Sequence, residues 1–323
     1  MRCLALSDLA FGRYAAIDIG TVTCRLLIAD IQSDGLHERA HGYGITNLGE
    51  GVDTSGFLTD AAMSRVTRQV SQFLDLIATY RDQDHPYIEI ITVATSASRD
   101  AKNADEFMRM LQKLGLKVSV ISGEKEANLS FLGASHNYRN ENLLVVDVGG
   151  GSTEISAGVH GREPFLSRSI DLGCKRLTER FLPNEPPHEA ELAAARMWVK
   201  ENLEDFFNEM KKANFHIDKM IAVAGTATSL VSIHQKMAHY DREKVHGATV
   251  LNTELSSIYK RLRIMGLEER KQVVGLDPKR AHVIVAGLLI LQEVLSLSGC
   301  LSFVASDADV LQGIILDASQ NRQ

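Results

Sequence analysis

The stretch that decides the fold is Ala15-Ala16-Ile17-Asp18-Ile19-Gly20-Thr21-Val22-Thr23, which can be laid over Val145-Val146-Asp147-Val148-Gly149-Gly150-Gly151-Ser152. Both run apolar strand, aspartate, apolar residue, glycine, small turn and hydroxyl residue, leading into a second strand. A short apolar, β-branched run that ends in glycine reads as a buried strand entering a turn. Two copies of one hairpin, far apart in one chain, imply duplicated α/β domains facing each other across a cleft.

Outward from these hairpins, strand-like and helix-like segments alternate, which is the pattern of an α/β fold. Strands are expected at Tyr14 to Ile19, Arg25 to Ile31, Ile88 to Ala94, Lys117 to Ile121, Leu143 to Val148, Met220 to Ala224 and Leu301 to Ala305. Thr59 is placed to cap a helix running to about Tyr80, with Ala62, Val66, Val70, Phe73 and Ile77 on one face. Glu124 opens another helix. Pro183 to Pro187 breaks the chain before a long helix from about His188 to Lys212, which covers the second domain or forms a dimer contact, so a homodimer stays open. Further helices are expected over about Thr253 to Met265, Pro278 to Leu297 and Asp309 to Ala318.

The 323 residues are 45% hydrophobic, enough for a sizeable core and more suited to two domains than to one. A formal net charge of −6 argues against broad nucleic-acid binding, which needs a basic face. Cys3, Cys24, Cys174 and Cys300 form no CxxC pair, so zinc or a disulfide framework is not indicated. Asp8 interrupts the mildly apolar start, and Met1 to Phe11 reads as a ragged terminus, not a signal peptide. The apolar run Val283 to Leu291 is too short to span a bilayer. The expectation is a soluble, cytoplasmic protein with no membrane partner.

The turns carry the chemistry. Small residues let backbone N–H groups converge on an anion, and Thr and Ser hydroxyls add donors. An aspartate at the end of each preceding strand, Asp18 or Asp147, is suited to hold hydrated Mg²⁺ beside phosphates. Asp18-Ile19-Gly20-Thr21 alone reads as a plain tight hairpin. Three consecutive glycines, Gly149 to Gly151, carry a conformational entropy cost that such a hairpin does not need, and together the two turns point to phosphate binding. Neither a GxxxxGK[ST] loop nor a GxGxxG after the first strand is present. A third turn, Ala224-Gly225-Thr226-Ala227-Thr228, stands between a strand and a helix, where it could serve a phosphate, a nucleotide or only a helix start. Arg99, Lys102, Lys175, Arg176 and Arg280 are candidates for a basic floor under a polyanion. The histidines have no ligand spacing, and His246 beside Gly247 suits a core or turn role as well as substrate contact.

The segments AAIDIGTVTCRLLIAD, NLGEGVDTSGFLTDAAM, VATSASRDAKNADEF, ISGEKEANLSFLGA, VVDVGGGSTEIS, DLGCKRLTERFL, AVAGTATSLV, VHGATV and GLDPKRAHVIVAG occur in one order. In these the chain resembles the exopolyphosphatase/guanosine pentaphosphatase (Ppx/GppA) family, from Ala15 to about Leu316. The resemblance implies two ribonuclease-H-like domains of the actin/Hsp70/sugar kinase superfamily, with the active site in the interdomain cleft. The implied division is 12–122 plus 307–323 for the first domain and 123–306 for the second. Glu124 matches the family's catalytic glutamate. Asp147 and Glu154 match acidic residues near a Mg²⁺ or other divalent cation, with Asp18 as a further ligand. Gly149, Gly150, Gly151, Ser152 and Thr153 match the second phosphate loop, and Gly20, Thr21 and Thr23 the first. Arg99 matches a phosphate-contacting arginine, and Arg25 a residue near the substrate beyond the cleaved phosphate.

Two positions depart from the family. Val22 stands where asparagine is common, which removes a side-chain donor from the first loop. Asp307 to Gly313 replaces a segment containing Gly-Leu-Arg and with it a basic contact. The resemblance also stops where longer members continue into further domains, so the short form and a preference for short polymers are expected. The implied reaction is release of terminal phosphate from inorganic polyphosphate, or conversion of pppGpp to ppGpp, through water activated by Glu124. The alternatives are a guanosine-polyphosphate-binding sensor with little turnover and an ATP-dependent kinase of the same superfamily.

Overall fold

The computed structural model describes residues 10–320. The expectations for the first nine residues, Cys3 among them, and for the last three fall outside the described residues. The chain divides into two compact units, the described part of Met1–His136 with Val310–Gln323, and Asn137–Asp309.

The first unit is built on β1 (Gly12–Ile19), β2 (Thr23–Gln32), β3 (Gly35–Ile45), β4 (Glu89–Ala94) and β5 (Val118–Val120), in the order β3-β2-β1-β4-β5. The β1–β2 and β2–β3 pairs are antiparallel, while β4 and β5 run parallel to β1. Alternate residues of β1 serve opposite faces, as the pleat requires. Ala15, Ile17 and Ile19 join the core under helix Asp60–Thr79, with Ala62, Val66, Val70, Phe73 and Ile77. Tyr14 and Ala16 join the core under helix Val310–Gln320, with Ile314 and Ile315. Burial on both faces is why β1 reads as one continuous apolar run. The expected cap holds, for Thr59 Oγ1 accepts from the Ala62 N–H at 3.2 Å.

The second unit repeats the plan with β6 (Asn142–Val148), β7 (Thr153–Val159), β8 (Leu166–Ile170), β9 (Lys219–Val223), β10 (Thr249–Leu251) and β11 (Ser302–Ala305). Their order is β10-β11-β9-β6-β7-β8, with β9 and β11 parallel to β6 and the rest antiparallel to their neighbours. Strand for strand, β8-β7-β6-β9-β11 is β3-β2-β1-β4-β5 again, with β10 added at the edge. The two hairpins matched in sequence therefore open two separate sheets of the same ribonuclease-H-like plan. Helices Glu189–Lys212 and Ile284–Ser298 fill the main core of this unit, and every residue from Val283 to Leu291 is buried there. No helix is long and apolar enough to cross a membrane among the described residues.

Three readings change. Helix Gly123–Ser135, assigned from sequence to the second domain, belongs to the first unit. Its Leu129 packs with the Val310–Gln320 helix, so closely that a Cβ on Gly313 would lie 1.9 Å from the Leu129 carbonyl oxygen. Residues 307–309 stay with the second unit, where Asp307 accepts from Tyr240 and Arg242. Strands β3 and β8 were not foreseen, because both are polar edge strands.

Asp30 on β2 anchors the first sheet. It is 2% exposed and accepts from Arg13 Nε at 2.6 Å, Arg13 Nη2 at 3.0 Å and Arg39 Nε at 2.7 Å. Burial would raise its carboxyl pKa, but the two guanidinium groups outweigh burial and hold it below the ordinary carboxylate value. A depressed folded-state pKa stabilises the fold above the unfolded value of about 4, and that contribution is lost as pH falls through the folded pKa. Asp30→Asn should cost about 1.5–3 kcal/mol, because largely buried Arg13, which keeps the Tyr80 carbonyl and Asp82, and exposed Arg39 lose a charged acceptor. Urea unfolding at pH 7 and at pH 3 should give a smaller gap between variant and wild type at the lower pH.

Candidate functional site

Both hairpins are closed by the same bond. The Gly20 N–H donates to the Thr23 carbonyl at 2.9 Å, and the Gly149 N–H donates to the Ser152 carbonyl at 3.0 Å. A Cβ would lie 3.2 Å from the Thr23 oxygen at Gly20 and 3.0 Å from the Ser152 oxygen at Gly149, so a side chain at either position crowds the turn.

The loop carbonyls are then taken up by a second segment. In the first unit, the Thr21 carbonyl accepts from Gly49 N–H, and the Val22 carbonyl from Thr46 and Asn47 N–H, each at 2.9 Å. In the second unit, the Gly149 carbonyl accepts from Cys174 N–H at 2.9 Å, and the Gly150 carbonyl from Lys175 at 2.9 Å and Arg176 at 3.2 Å. In a trans peptide the C=O and the next N–H point in opposite directions. The N–H groups of Gly150 and Gly151 are thereby turned away from helix Cys174–Phe181, as those of Val22 and Thr23 are from the Thr46–Gly49 segment. Successive amides aimed one way make an anion-binding concavity. Val22 itself is buried, 5% exposed, so the residue that departs from the family pattern contributes its backbone and not a side-chain donor. Thr153 is fully buried and donates its hydroxyl to the Leu172 carbonyl, which shapes the second loop from behind. Ser152 is also buried, while Thr21 and Thr23 are half-buried.

The carboxylates distinguish the two units. Asp18 stands opposite Arg25 across β1–β2, and Asp147 stands opposite Glu154 across β6–β7. Arg25 donates to Asp18 Oδ2 through Nη2 at 2.7 Å and Nε at 3.1 Å. The arginine expected beyond the cleaved phosphate thus holds the aspartate expected to bind metal. In the second unit the same register juxtaposes two carboxylates, both buried, at 7% and 3% exposure. Glu154 Oε1 accepts from Ser169 Oγ at 2.7 Å, and Ser169 is its register partner on β8. Like charges directly opposite across a sheet are destabilising. Two carboxylates are also the hard oxygen donors that Mg²⁺ takes, with water and phosphate oxygens completing its shell. The donor set at Asp147 and Glu154 therefore fits such an ion. No set of three acidic, histidine or cysteine side chains gathers into a metal cage among the described residues.

Glu124 lies in the first turn of helix Gly123–Ser135 and is exposed. The cap of that helix is Ser122, whose Oγ accepts from the Lys125 N–H at 3.2 Å, so capping does not fall to Glu124. Arg99, expected on a phosphate, has Nη1 bonded to Glu126 Oε2 at 2.7 Å and to the Ile121 carbonyl at 3.0 Å. It fastens the turn that carries Glu124. Near the third turn, Arg280 lies so close over Gly225 that a Cβ there would sit 1.8 Å from its Nη1. Burial pushes the Cys174 thiol pKa up, against a smaller opposing influence from Arg280. Ala224 opens this turn in the left-handed region, at φ 64°. His246 serves a turn, its Nδ1 accepting from the Asp307 N–H at 3.2 Å. Gln312, in the segment that departs from the family, donates to Glu38 at 2.6 Å.

A family model described as the Ppx/GppA phosphatase family matches residues 27–321. The chain belongs to that family. It is 36% identical to a bifunctional 3-dehydroquinate synthase/phosphatase of Fusobacterium nucleatum over 95% of its own length, and spans 47% of that longer protein. It is 34% identical to exopolyphosphatase 2 of Mycobacterium tuberculosis, covering 95% of this chain and 99% of that one. A solved exopolyphosphatase-like protein superposes with a TM-score of 0.88 at 31% identity, covering 96% of this chain and 98% of its own. Family membership fits the loops and the carboxylates. Of the loop-bracing residues, Asn47 to Gly49 and Gly173 to Arg176 lie inside the family segments and Thr46 just before one, but only their hydrogen bonds reveal the bracing.

Arg99 and Glu126 should behave as a coupled pair. Arg99→Gln should destabilise the protein by about 1–3 kcal/mol, because it leaves a partly buried carboxylate and a carbonyl without this donor. In urea melts, Arg99→Gln with Glu126→Gln should cost clearly less than the two single losses added.

Proposed function

We propose that this protein is a phosphoanhydride hydrolase that releases terminal phosphate from inorganic polyphosphate. The observation that carries the reading is the second loop, where amides turned one way lie between the buried register partners Asp147 and Glu154. Backbone amides suit phosphate oxygens, and paired carboxylates suit the divalent cation that accompanies a phosphate chain. The exopolyphosphatase names of relatives that this chain matches nearly end to end agree with it.

In this reading the amides around Gly150, Gly151 and Ser152 hold the oxygens of a terminal phosphate. In the first loop, Thr21 and Thr23 are the hydroxyl donors suited to a phosphate. Asp147 and Glu154 would hold Mg²⁺, which when bound offsets negative charge developing on the transferred phosphoryl oxygens. Glu124 orients a water and accepts its proton as the oxygen attacks phosphorus and the P–O–P bridge breaks. The exposed position of Glu124, free of the capping role that Ser122 fills, suits a base that must meet solvent. Such a base contributes roughly 10²–10⁴-fold.

The test is phosphate release from tripolyphosphate, long-chain polyphosphate, pppGpp and ATP, with and without Mg²⁺. Release from polyphosphate that stops on exhaustive chelation is expected. Turnover of pppGpp would extend the reading to guanosine polyphosphates. Tight pppGpp binding with no release would favour a sensor, and transfer only to an added acceptor would favour a kinase. Glu124→Gln should keep substrate affinity and lose roughly 10²-fold or more in kcat. Unchanged kcat under conditions where chemistry limits the rate would remove Glu124 from the mechanism.

A further inference from the structure

Beyond the Gly149–Ser152 bond that closes it, the second phosphate loop is held from outside. Three consecutive glycines have no side chains with which to fix the peptide planes, and glycine is the residue with most conformational freedom to lose. Three consecutive carbonyls of this loop are nevertheless all bonded to one short stretch of chain. Gly149 and Gly150 accept from the amides of Cys174, Lys175 and Arg176. Gly151 accepts from a side chain, Arg176 Nε, at 2.9 Å. Of the three, the Gly151 peptide is the one held through a side chain, and its trans partner is the N–H of Ser152.

We propose that Arg176 is a positioning residue for phosphate binding: by holding the Gly151 carbonyl it aims the Ser152 amide at the phosphate. Gly173 makes the arrangement sterically accessible. A Cβ there would lie 2.1 Å from the Gly150 oxygen and 2.4 Å from the Gly151 nitrogen, so only glycine lets the start of the helix reach the loop. The first unit repeats the device one layer further out. Arg65 Nε donates to the Thr46 carbonyl at 2.8 Å, and the Thr46 amide in turn holds the Val22 carbonyl. In both units the bracing segment directly follows the third strand of the sheet, β3 in one and β8 in the other. A common position in the two repeats argues that bracing is part of the plan and not an accident of one loop.

The inference rests on the second loop being the phosphate site, so its test reads binding as well as turnover. Tripolyphosphate affinity by calorimetry and KM and kcat for its hydrolysis are measured for wild type, Arg176→Met, Arg176→Lys and Gly173→Ala, with thermal midpoints alongside. Arg176→Met should weaken tripolyphosphate binding and raise KM roughly ten-fold, the scale of one or two hydrogen bonds to a charged group. Arg176→Lys keeps the charge but not the Nε–H, and should recover little of that loss. Gly173→Ala should lose roughly 10²-fold in kcat/KM through displacement of the loop. Full recovery in Arg176→Lys would overturn the proposal, since charge alone would then suffice. So would a lowered thermal midpoint with unchanged KM and affinity, because a purely structural role reduces the amount of active enzyme only. Wild type that binds tripolyphosphate without cleaving it would sink the hydrolase reading while the binding comparison still decides the role of Arg176. Wild type that does not bind it overturns both.

Discussion

Two carboxylates placed opposite each other across one antiparallel strand pair are the constraint around which the second unit is organised. Asp147 and Glu154 are register partners on β6 and β7, and both are nearly inaccessible. Taking two like charges out of water is costly unless they are paired, hydrogen-bonded or bound to a cation. Ser169 supplies one hydrogen bond. At the equivalent place in the first unit, Arg25 lies opposite Asp18 and donates to it. The two hairpins share topology and a turn, and differ at the residue that decides their electrostatics.

That divergence separates what the two repeats can do. A strand end carrying an Asp–Arg pair is electrically settled and can offer backbone and hydroxyl donors. A strand end carrying an Asp–Glu pair offers carboxylate oxygens, the donor type that hard cations take. The two units carry two copies of one hairpin turn, and the opposite charges of Arg25 on β2 and Glu154 on β7 make them unequal. Fold alone would not assign that difference, since the sheet order is common to both.

Both loops also depend on chain that is remote from them in sequence. Glycine-rich turns favour anions only if their peptide planes are held with the amides aimed together. Here the carbonyl sides are anchored by Thr46–Gly49 in one unit and by Cys174–Arg176 in the other. The neighbouring architecture follows the same economy of rigid support. Arg99 ties Glu126 and the Ile121 carbonyl, fixing the turn before and within the helix that bears Glu124.

The sequence by itself determined the repeated strand–Asp–Gly hairpins, the α/β class, the amphipathic helix after Thr59 and the family. These are local signals: hydrophobic period, glycine placement, a capping hydroxyl and contiguous motifs. Tertiary structure alone decided the rest. Strands β3 and β8 are polar edges that gain their backbone partners from one neighbour, so periodicity does not reveal them. Helix Gly123–Ser135 joins the first unit because Gly313, almost two hundred residues away, lets a second helix touch Leu129. Arg25 and Arg99 have the charge that a phosphate contact needs, and only the fold brings Asp18 and Glu126 within hydrogen-bonding distance of them. The same holds for Arg176 and Gly173, whose partners are carbonyl oxygens. Backbone acceptors are identical at every position in a sequence, so which of them a side chain meets is decided by the fold.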